Sequence, residues 1–186
     1  MSKVYTRTGD KGTTGLLFGG RASKDSPVID ANGAVDEAQA ALGVVRAEVE
    51  RGSELDELLV QLERELYVLM AELATAPENR KKLKPAQTLV TAEMVAALET
   101  KIDELTDRFP PLTDFVIPGH DRVSAGLDAA RTAIRRAERL VISAFSGPER
   151  GADSQVVPYL NRLSDLVWTM ARWQEQGDSL LSRQAK

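Results

Sequence analysis

The feature that most constrains the fold is a repeated spacing of apolar residues, at alternating steps of three and four, in five separate segments of this 186-residue chain. Such spacing places the apolar side chains on one face of an α-helix, which turns once every 3.6 residues. Strand-like alternation is nowhere sustained. Near-heptad spacing favours helices that cross at about 20°. The sequence therefore predicts an all-α fold, a five-helix bundle.

Capping and breaking residues suggest where these helices begin and end. Ser26-Pro27, Ser53 and Thr91 are suited to begin the first three helices, Pro110-Pro111 to end the third, and Gly147-Pro148 to end the fourth. The apolar stripes run over Val28, Ala31, Val35, Ala38, Leu42 and Val45; over Leu55, Leu59, Leu62, Leu66, Leu69 and Leu73; over Met94, Leu98, Ile102 and Leu105; over Val123, Leu127, Ala130, Ile134, Ala137, Val141 and Ala144; and over Leu160, Leu163, Val167, Met170 and Gln174.

Composition narrows the class of protein. A formal charge of −4 and a pI near 5.2 argue against nucleic-acid binding. The chain has no cysteine and a single histidine, His120, which excludes thiolate and multi-histidine metal sites. No apolar leader or 18-residue apolar run is present, so we expect a cytoplasmic protein with no membrane contact. We expect one domain, 1–186, with an N-terminal loop (1–25), a helical bundle (26–177) and a C-terminal tail (178–186).

The segment from Thr6 to Gly15 is polar and flexible, with almost nothing apolar to bury. Its glycines allow backbone N–H groups to turn toward an anion, and its threonines and Lys11 add donors. This composition suits a polyphosphate cradle, although the order of residues is not that of a Walker A loop. A frayed polar tail is the alternative.

A second basic cluster lies on the fourth helix. Arg131, Arg135 and Glu138 share one face, with Arg139 beside them. Like charges four residues apart repel by about 0.2–0.5 kcal/mol in an isolated helix, so an anion is expected near Arg131 and Arg135. Ordinary surface pairing with Glu138 and Asp128 is the alternative.

Two further helices carry polar residues at unusual places. Asn161 stands in the middle of the fifth helix, where asparagine has poor propensity, so we expect it to have a specific partner. A capping or surface role is the alternative. On the first helix, Gly33 and Gly43 flank Asp36-Glu37 and suggest the close approach of another backbone or a bulky ligand.

The connector before the fourth helix contains an apolar trio, Phe115-Val116-Ile117, closed by Pro118-Gly119. Such a trio either plugs the end of the bundle or contacts an apolar group outside it. The plug is the default interpretation, because exposed apolar side chains are costly without a partner.

Several segments together resemble one family, the PduO-type ATP:cob(I)alamin (corrinoid) adenosyltransferases. Each segment alone is a weak signal, but the ordered set covers nearly the whole chain and is highly specific. The segments are Thr6–Gly12, Lys24, Asp36-Glu37, Phe115–Gly119, Ala130–Thr132, Arg135–Arg139 and Asn161–Asp165.

The resemblance implies a cobalamin adenosyltransferase-like, ferritin-like up-down bundle that forms a homotrimer, with active sites between subunits. The implied reaction transfers the 5′-deoxyadenosyl group of ATP to the cobalt of cob(I)alamin and yields adenosylcobalamin and triphosphate. Mg²⁺ would be carried by the ATP phosphates, and no side-chain metal ligand is assigned. A cobalamin reductase and an adenosylcobalamin-dependent enzyme are conceivable partners.

The resemblance also implies residue roles. Phe115 would occupy the lower face of the corrin ring, and Arg131 would pair with Asp36 across the interface; with Arg135 these are the residues assigned to catalysis. The residues that would bind ATP are Thr6, Arg7, Thr8, Gly9, Thr14, Gly15 and Lys24 from one subunit, and Arg135, Glu138, Arg139 and Asn161 from its neighbour.

Two positions depart from the family pattern. His120 stands where a second glycine is usual, and Asp128 where a histidine is frequent. His120 is assigned to the cobalamin site, although capping of the fourth helix is the favoured explanation for it. Two other functions stay open: a helical ATP-binding hydrolase that uses no corrin, and a non-enzymatic helical adaptor for an acidic partner.

Overall fold

The structure, a computed structural model, describes residues 5–145 and 153–183. Within these residues the chain forms five α-helices, one short 3-10 helix and a two-stranded antiparallel sheet, which confirms the predicted all-α bundle. The predicted stop at Gly147-Pro148 lies outside the described residues. The elements are β1 (Thr13–Gly15), β2 (Arg21–Ser23), α1 (Pro27–Glu48), α2 (Glu54–Leu73), the 3-10 helix (Pro77–Lys82), α3 (Ala92–Thr106), α4 (Arg122–Ala144) and α5 (Val156–Glu175).

Successive helices alternate in direction. Polar contacts join the start of each helix to the end of an antiparallel neighbour, and α3 runs in the same direction as α5, alongside it. Two ends result: a loop end, where α1 and α5 begin, and a connector end, where α2 and α4 begin. The contacts that fix the directions are Asn32–Met70 and Arg46–Asp56 between α1 and α2, Glu37–Arg136 between α1 and α4, and Asp128–Arg172 and Glu138–Asn161 between α4 and α5.

The core lies where the predicted stripes meet. The whole α1 stripe is buried, and five of the predicted α4 positions are inaccessible to solvent. This burial shows that α4 packs closely between α1 and α5. The buried α4 residues are Leu127, Ala130, Ile134, Ala137 and Val141, each 0% exposed. None of the helices in the described residues combines the length and apolarity that a bilayer crossing requires.

Helix α4 begins with a reciprocal capping box. The Asp121 carboxylate accepts the Ser124 N–H at 2.8 Å, and the Ser124 hydroxyl accepts the Asp121 N–H at 3.3 Å. The expectation that His120 caps this helix is therefore wrong. At α1 the hydroxyl of Ser26 donates to the Ser23 carbonyl at 2.8 Å instead of accepting from the first turn.

The close approach of another backbone, one of the two explanations offered for Gly33 and Gly43, occurs at a different glycine. A Cβ at Gly126 of α4 would lie 2.9 Å from Val45 Cγ2, so α1 and α4 can approach only because that Cβ is missing. A Cβ at Gly43 would make an ordinary 3.5 Å contact with Glu63. At Gly33 a Cβ would meet nothing within 4 Å, because this residue faces a surface groove.

A buried ionic cluster joins α4 to α5 and explains the departure at Asp128. Arg172, only 2% exposed, donates through Nη2 to Asp128 at 2.7 Å and to Glu175 at 2.9 Å. The other Asp128 oxygen lies 3.4 Å from Arg131 Nε. Asp128 therefore serves as the shared acceptor of two arginines, a role that a protonated histidine could not fill.

Candidate functional site

The segment predicted as a polar loop contains a small hairpin. Strands β1 and β2 pair antiparallel, with Thr14 opposite Ala22. The hairpin turn docks onto the end of α2, where the Leu17 N–H donates to the Ala74 carbonyl at 2.8 Å and Leu17 pairs with Thr75. The frayed tail considered as an alternative for residues 6–15 is therefore wrong for residues 13–15, which form β1.

One arginine that the sequence did not single out braces this segment. Arg21 Nη2 donates to the carbonyl of Thr8 at 2.8 Å and to the carbonyl and hydroxyl oxygens of Thr13 at 3.1 and 2.7 Å. The hydroxyls of Thr6 and Thr8 lie 2.8 Å apart, and Arg7 between them has a left-handed backbone, with φ of 60°. The threonines are thus held in one exposed turn.

Lys24 closes over the glycine of the same turn. A Cβ at Gly9 would lie 3.1 Å from Lys24 Nζ, so the absent side chain leaves room for the ammonium group. Lys24 also lines a cavity of about 440 Å³ together with Leu140 and Ser143 near the end of α4. The structure therefore brings Gly9 and Lys24 together and places Lys24 beside α4.

Thr14 and Gly15 lie on a different surface, a groove of about 510 Å³ between α1 and α2. Asp36 and Gly33 line the same groove on α1, and Tyr67, which is 65% exposed, lines it on α2. The side chain of Asp36 is exposed and makes no hydrogen bond or ion pair with any other described residue. In particular, it does not contact Arg131 within the protomer.

The basic face of α4 is only partly neutralised. Arg131 is paired with Asp128, as the surface-pairing alternative expected. Arg139 Nη1 donates to the Arg135 carbonyl at 2.9 Å, which leaves its charge without a carboxylate. The Arg135 side chain is exposed and forms no ion pair with the described residues. Two cations near the end of α4 are therefore available to an anion.

Asn161 has the specific partner that its mid-helix position predicted. Its Nδ2 donates to Glu138 Oε1 at 3.1 Å, and its Oδ1 accepts Arg162 Nη1 at 3.0 Å. Arg162 is held in turn by Glu99 and Asp165, whose carboxylates raise the pKa of the guanidinium above its ordinary value. Both polar atoms of Asn161 are thereby oriented, and Glu138 is brought beside it.

The apolar trio of the connector does not plug the bundle. Phe115 is 82% exposed and Ile117 is 45% exposed, so the default interpretation of this segment is wrong. The segment pairs through its backbone with residues 180–182 at the surface. Phe115 points into solvent, where an unpartnered aromatic ring is unfavourable.

The backbone around Phe115 is nevertheless fixed by the C-terminal tail. The Ser182 N–H donates to the Phe115 carbonyl at 2.7 Å, the Ile117 N–H donates to the Leu180 carbonyl at 2.8 Å, and Val116 pairs antiparallel with Leu181. We call residues 115–117 and 180–182 the Phe115 ladder. Because side chains alternate along a ladder, those of Phe115, Ile117 and Leu180 share its exposed face.

His120 is near this ladder in the chain but forms no part of it. Its side chain is exposed and makes no hydrogen bond or ion pair with the described residues. The preceding Gly119 has φ of 110°, a conformation that glycine permits and that turns the chain toward α4.

The predicted site residues thus form separate groups within one protomer. The turn around Gly9 and Lys24 lies at the loop end, whereas Phe115 and His120 lie at the connector end. Helix α4 spans the distance between the ends, with 23 residues or about 34 Å. Its basic face lies along that path. No cluster of three metal-ligating side chains occurs in residues 5–145 and 153–183.

Comparisons with known proteins identify the family of the chain. The family model described as cobalamin adenosyltransferase matches residues 4–174. A corrinoid adenosyltransferase of Citrobacter freundii is 41% identical over 175 residues, which are 94% of this chain and 96% of that protein. A corrinoid adenosyltransferase of Bacillus subtilis is 39% identical, over 91% of this chain and 85% of that protein.

A solved structure shares the fold. A variant of the PduO-type ATP:corrinoid adenosyltransferase from Lactobacillus reuteri, complexed with cobalamin and ATP, superposes with a TM-score of 0.85 at 30% identity. The match covers 98% of this chain and 100% of that chain. Since the family model and these relatives span nearly the entire sequence, the chain belongs to the cobalamin adenosyltransferase family.

Proposed function

We propose that the protein is a corrinoid adenosyltransferase, which transfers the 5′-deoxyadenosyl group of ATP to the cobalt of cob(I)alamin. The relative with 30% identity was solved with both cobalamin and ATP. The observation in this chain that best supports the same reaction is Phe115, an exposed aromatic side chain on a backbone that the tail holds in place. Neither an ATP hydrolase nor an adaptor gives a reason for this feature.

The reaction requires alignment and charge neutralisation rather than a protein nucleophile. The reduced cobalt supplies the electron pair that forms the Co–C5′ bond, and the C5′–O bond breaks to release triphosphate. The polypeptide must hold these atoms in line and stabilise the departing anion. The reaction therefore requires no Ser, Cys or His nucleophile with its base.

We assign the triphosphate to the cations near the loop end. Lys24, Arg135 and Arg139 form no ion pair with a carboxylate of the described residues, so their charges are available. The turn of Thr6, Arg7, Thr8 and Gly9 adds hydroxyl and backbone donors. Mg²⁺ would be bound by the phosphates and would supply further positive charge, because no carboxylate cluster is present among the described residues to hold it.

We assign the lower face of the corrin to the Phe115 ladder. The Phe115 ring has no atom that can ligate cobalt, so its presence there excludes an axial ligand and favours the reduced metal. Ile117 and Leu180 extend the apolar surface beside it, 45% and 53% exposed. His120, which is exposed next to this surface, is placed near the corrin periphery.

We further propose that the active sites lie between subunits of a homotrimer. Asp36 lies exposed in the groove on α1 with no partner, and Arg131 lies on α4 with part of its guanidinium accessible. An Asp36–Arg131 pair between two protomers would supply the missing partner. The same contact would bring Thr14 and Gly15 of one protomer toward α4 of its neighbour.

A visible spectrum tests the proposed activity. Protein, ATP, Mg²⁺ and chemically reduced cobalamin should together produce the absorption bands of adenosylcobalamin and release triphosphate in equal amount. A mixture without ATP is the control. Release of ADP and phosphate without any change in the cobalamin spectrum would identify a hydrolase instead. No reaction and no nucleotide binding would favour an adaptor.

A further inference from the structure

Glu72, in the last turn of α2, is a buried carboxylate that the reaction does not use. Its side chain is 0% exposed. Oε1 accepts Arg80 Nη2 at 2.9 Å and the Ser154 hydroxyl at 2.7 Å, and Oε2 accepts the Val90 N–H at 2.8 Å. We call these four residues the Glu72 hub. Its donors come from the 3-10 helix, from the residue before the Thr91 cap of α3 and from the residues before α5.

The first contact of the hub fixes the place where the N-terminal hairpin docks. Arg80 donates to the Glu72 carboxylate at 2.9 Å and so closes the segment from Glu72 to Arg80 into a loop. The backbone of the same loop is held by the Thr75 N–H, which donates to the Glu72 carbonyl at 3.1 Å. The Ala74 carbonyl, which accepts the Leu17 N–H at 2.8 Å, lies in this loop, two residues after Glu72. Release of Arg80 from Glu72 would therefore loosen the loop onto which the hairpin docks.

The second contact fixes the start of α5. Gln155 occupies the N-cap position but makes no side-chain cap. The Ser154 hydroxyl instead accepts the Val156 N–H at 3.3 Å while it donates to Glu72. Asn161 follows within the next two turns of α5. A shift of Ser154 would therefore be transmitted to Asn161 through rigid helix.

We propose that Glu72 is a positioning residue for the nucleotide. One buried carboxylate holds the N-terminal hairpin and the start of α5 in a fixed relation, and so sets the two groups of residues that contact ATP. This inference rests on the proposed function, which places the loop and Asn161 against ATP. In a homotrimer with sites between subunits, the hubs of both neighbours would act on each site.

The chemistry of the hub requires a carboxylate. Arg80 and the Val90 N–H can only donate, so both oxygens at position 72 must accept. A glutamine of the same size keeps one accepting oxygen and turns an NH₂ group toward a donor. The Glu72→Gln variant therefore preserves packing volume while it releases one of the segments that the carboxylate holds.

Asp56 offers a matched control on the same helix. It is also a buried carboxylate, 7% exposed, and it accepts hydrogen bonds from Arg46, Arg51 and the Gly52 N–H. It lies at the connector end of α2 and contacts none of the candidate nucleotide residues. Asp56→Asn should therefore lower the melting temperature without changing the Kd for ATP.

The test is the Kd for ATP of the full chain, measured by calorimetric titration, with the KM for cobalamin measured in parallel. Glu72→Gln should raise the Kd for ATP by about ten- to a hundred-fold, as displaced binding groups do, and leave the KM for cobalamin unchanged. Asp56→Asn should leave both constants unchanged. An unchanged Kd for ATP in folded Glu72→Gln, or a parallel rise of both constants in the two variants, would overturn the proposal.

Hydrogen exchange supplies a readout that is independent of activity. Glu72→Gln should accelerate exchange of the Leu17 amide and of the first turn of α5, whereas Ser154→Ala should accelerate only the latter. If Glu72→Gln does not fold, Ser154→Ala decides, because it must weaken ATP binding while Leu17 stays protected. Wild-type protein that binds no ATP would refute the proposed function, but unaltered exchange at both places in the variants would refute the hub itself.

Discussion

At the scale of single residues, Phe115 combines two properties that rarely occur together. Its ring is 82% exposed, yet its carbonyl and the neighbouring Ile117 N–H are both bonded to the tail. A mobile surface aromatic would show the first property, and a core residue would show the second together with burial. A fixed and exposed ring is suited to receive a flat apolar ligand with little loss of conformational entropy.

Phe115→Ala should separate binding from stability. Because the ring is exposed, its removal should change the free energy of unfolding by no more than about 0.5 kcal/mol. It should nevertheless impair formation of the base-off, reducible cobalamin and spare ATP binding. The melting temperature and the Co(II) spectrum with ATP measure the two effects. A loss of about 3–5 kcal/mol of stability with an intact base-off signal would instead indicate a buried plug.

Arg135→Ala should reduce turnover far more than stability. The side chain is exposed and unpaired in the described structure, so little packing is lost. A charge-assisted contact to the leaving triphosphate is worth about 1.5–3 kcal/mol, which corresponds to a loss of about ten- to a hundred-fold in rate. Measurement of kcat at saturating ATP tests this.

The neighbouring arginine is the control for that experiment. Arg136 pairs with Glu37 of α1, so its charge is already neutralised. Arg136→Ala should retain nearly full turnover. Equal losses in the two variants would mean that the basic face acts through general charge and that Arg135 has no particular role.

The residues that could be predicted from the sequence are those that are unfavourable in a helix without a partner. Arg135 and Asn161 were recognisable because like charges and a mid-helix asparagine both call for partners. Arg21 was not, since its role is to bind backbone carbonyls whose directions depend on the folded turn. Glu72 was also missed, because a glutamate on a helix is ordinary until its burial is known.

At the scale of elements, a buried carboxylate binds several donors at each end of α2: Asp56 at the connector end and Glu72 at the loop end. At the connector end, the Gly52 N–H and the guanidinium of Arg46 hold the pKa of Asp56 below its ordinary value of 3.8. At the same end, the hydrogen bond from Arg108 lowers the pKa of Glu54 from 4.5. These groups bind protons more weakly in the folded state than in the unfolded state.

Stability should therefore fall in acid. The contribution of Asp56 is fully present above pH 3.8, its unfolded pKa, and is lost as the pH falls through its lower folded pKa. Urea unfolding at a series of pH values between about 2 and 6 measures this loss. Asp56→Asn should make the acid limb of the curve shallower. A wild-type slope retained in the variant would assign the acid loss to other carboxylates.

The sequence pattern predicts the long helices but not the short strands. Five helices were predicted correctly, because each stripe persists for several turns. The hairpin was not predicted, since β1 and β2 have three residues each and show no alternation to detect. The pairing of residues 115–117 with 180–182 was not predicted either, because backbone groups make it and its partners are about 65 positions apart.

At the scale of the whole molecule, the up-down order determines which groups can share a site. The N-terminal turn and Phe115 lie at opposite ends of one protomer, and the basic face of α4 lies between them. Asp36 and Arg131 are on different helices and do not meet within the chain. These placements are most simply reconciled by a second copy whose groove covers α4.

The protein should therefore sediment as a trimer at micromolar concentration. Asp36→Ala and Arg131→Ala should each weaken the assembly. The double variant should lose no more association free energy than either single variant, as expected for a direct pair. Analytical ultracentrifugation at several concentrations measures the dissociation. A wild-type monomer with full activity, or strictly additive losses in the double variant, would contradict the proposed interface.

The Phe115 ladder also has a consequence for thermal inactivation. Two backbone hydrogen bonds, a 3.1 Å hydrogen bond between Ser182 and Asp114 and a 3.5 Å ion pair between Arg183 and Asp114 join these distant segments at the surface, whereas a continuous apolar core secures the helices. Local opening of such a surface pairing costs far less free energy than global unfolding. On warming, the protein should thus lose its activity at a temperature at which its helices are still folded. Cooling should restore the activity.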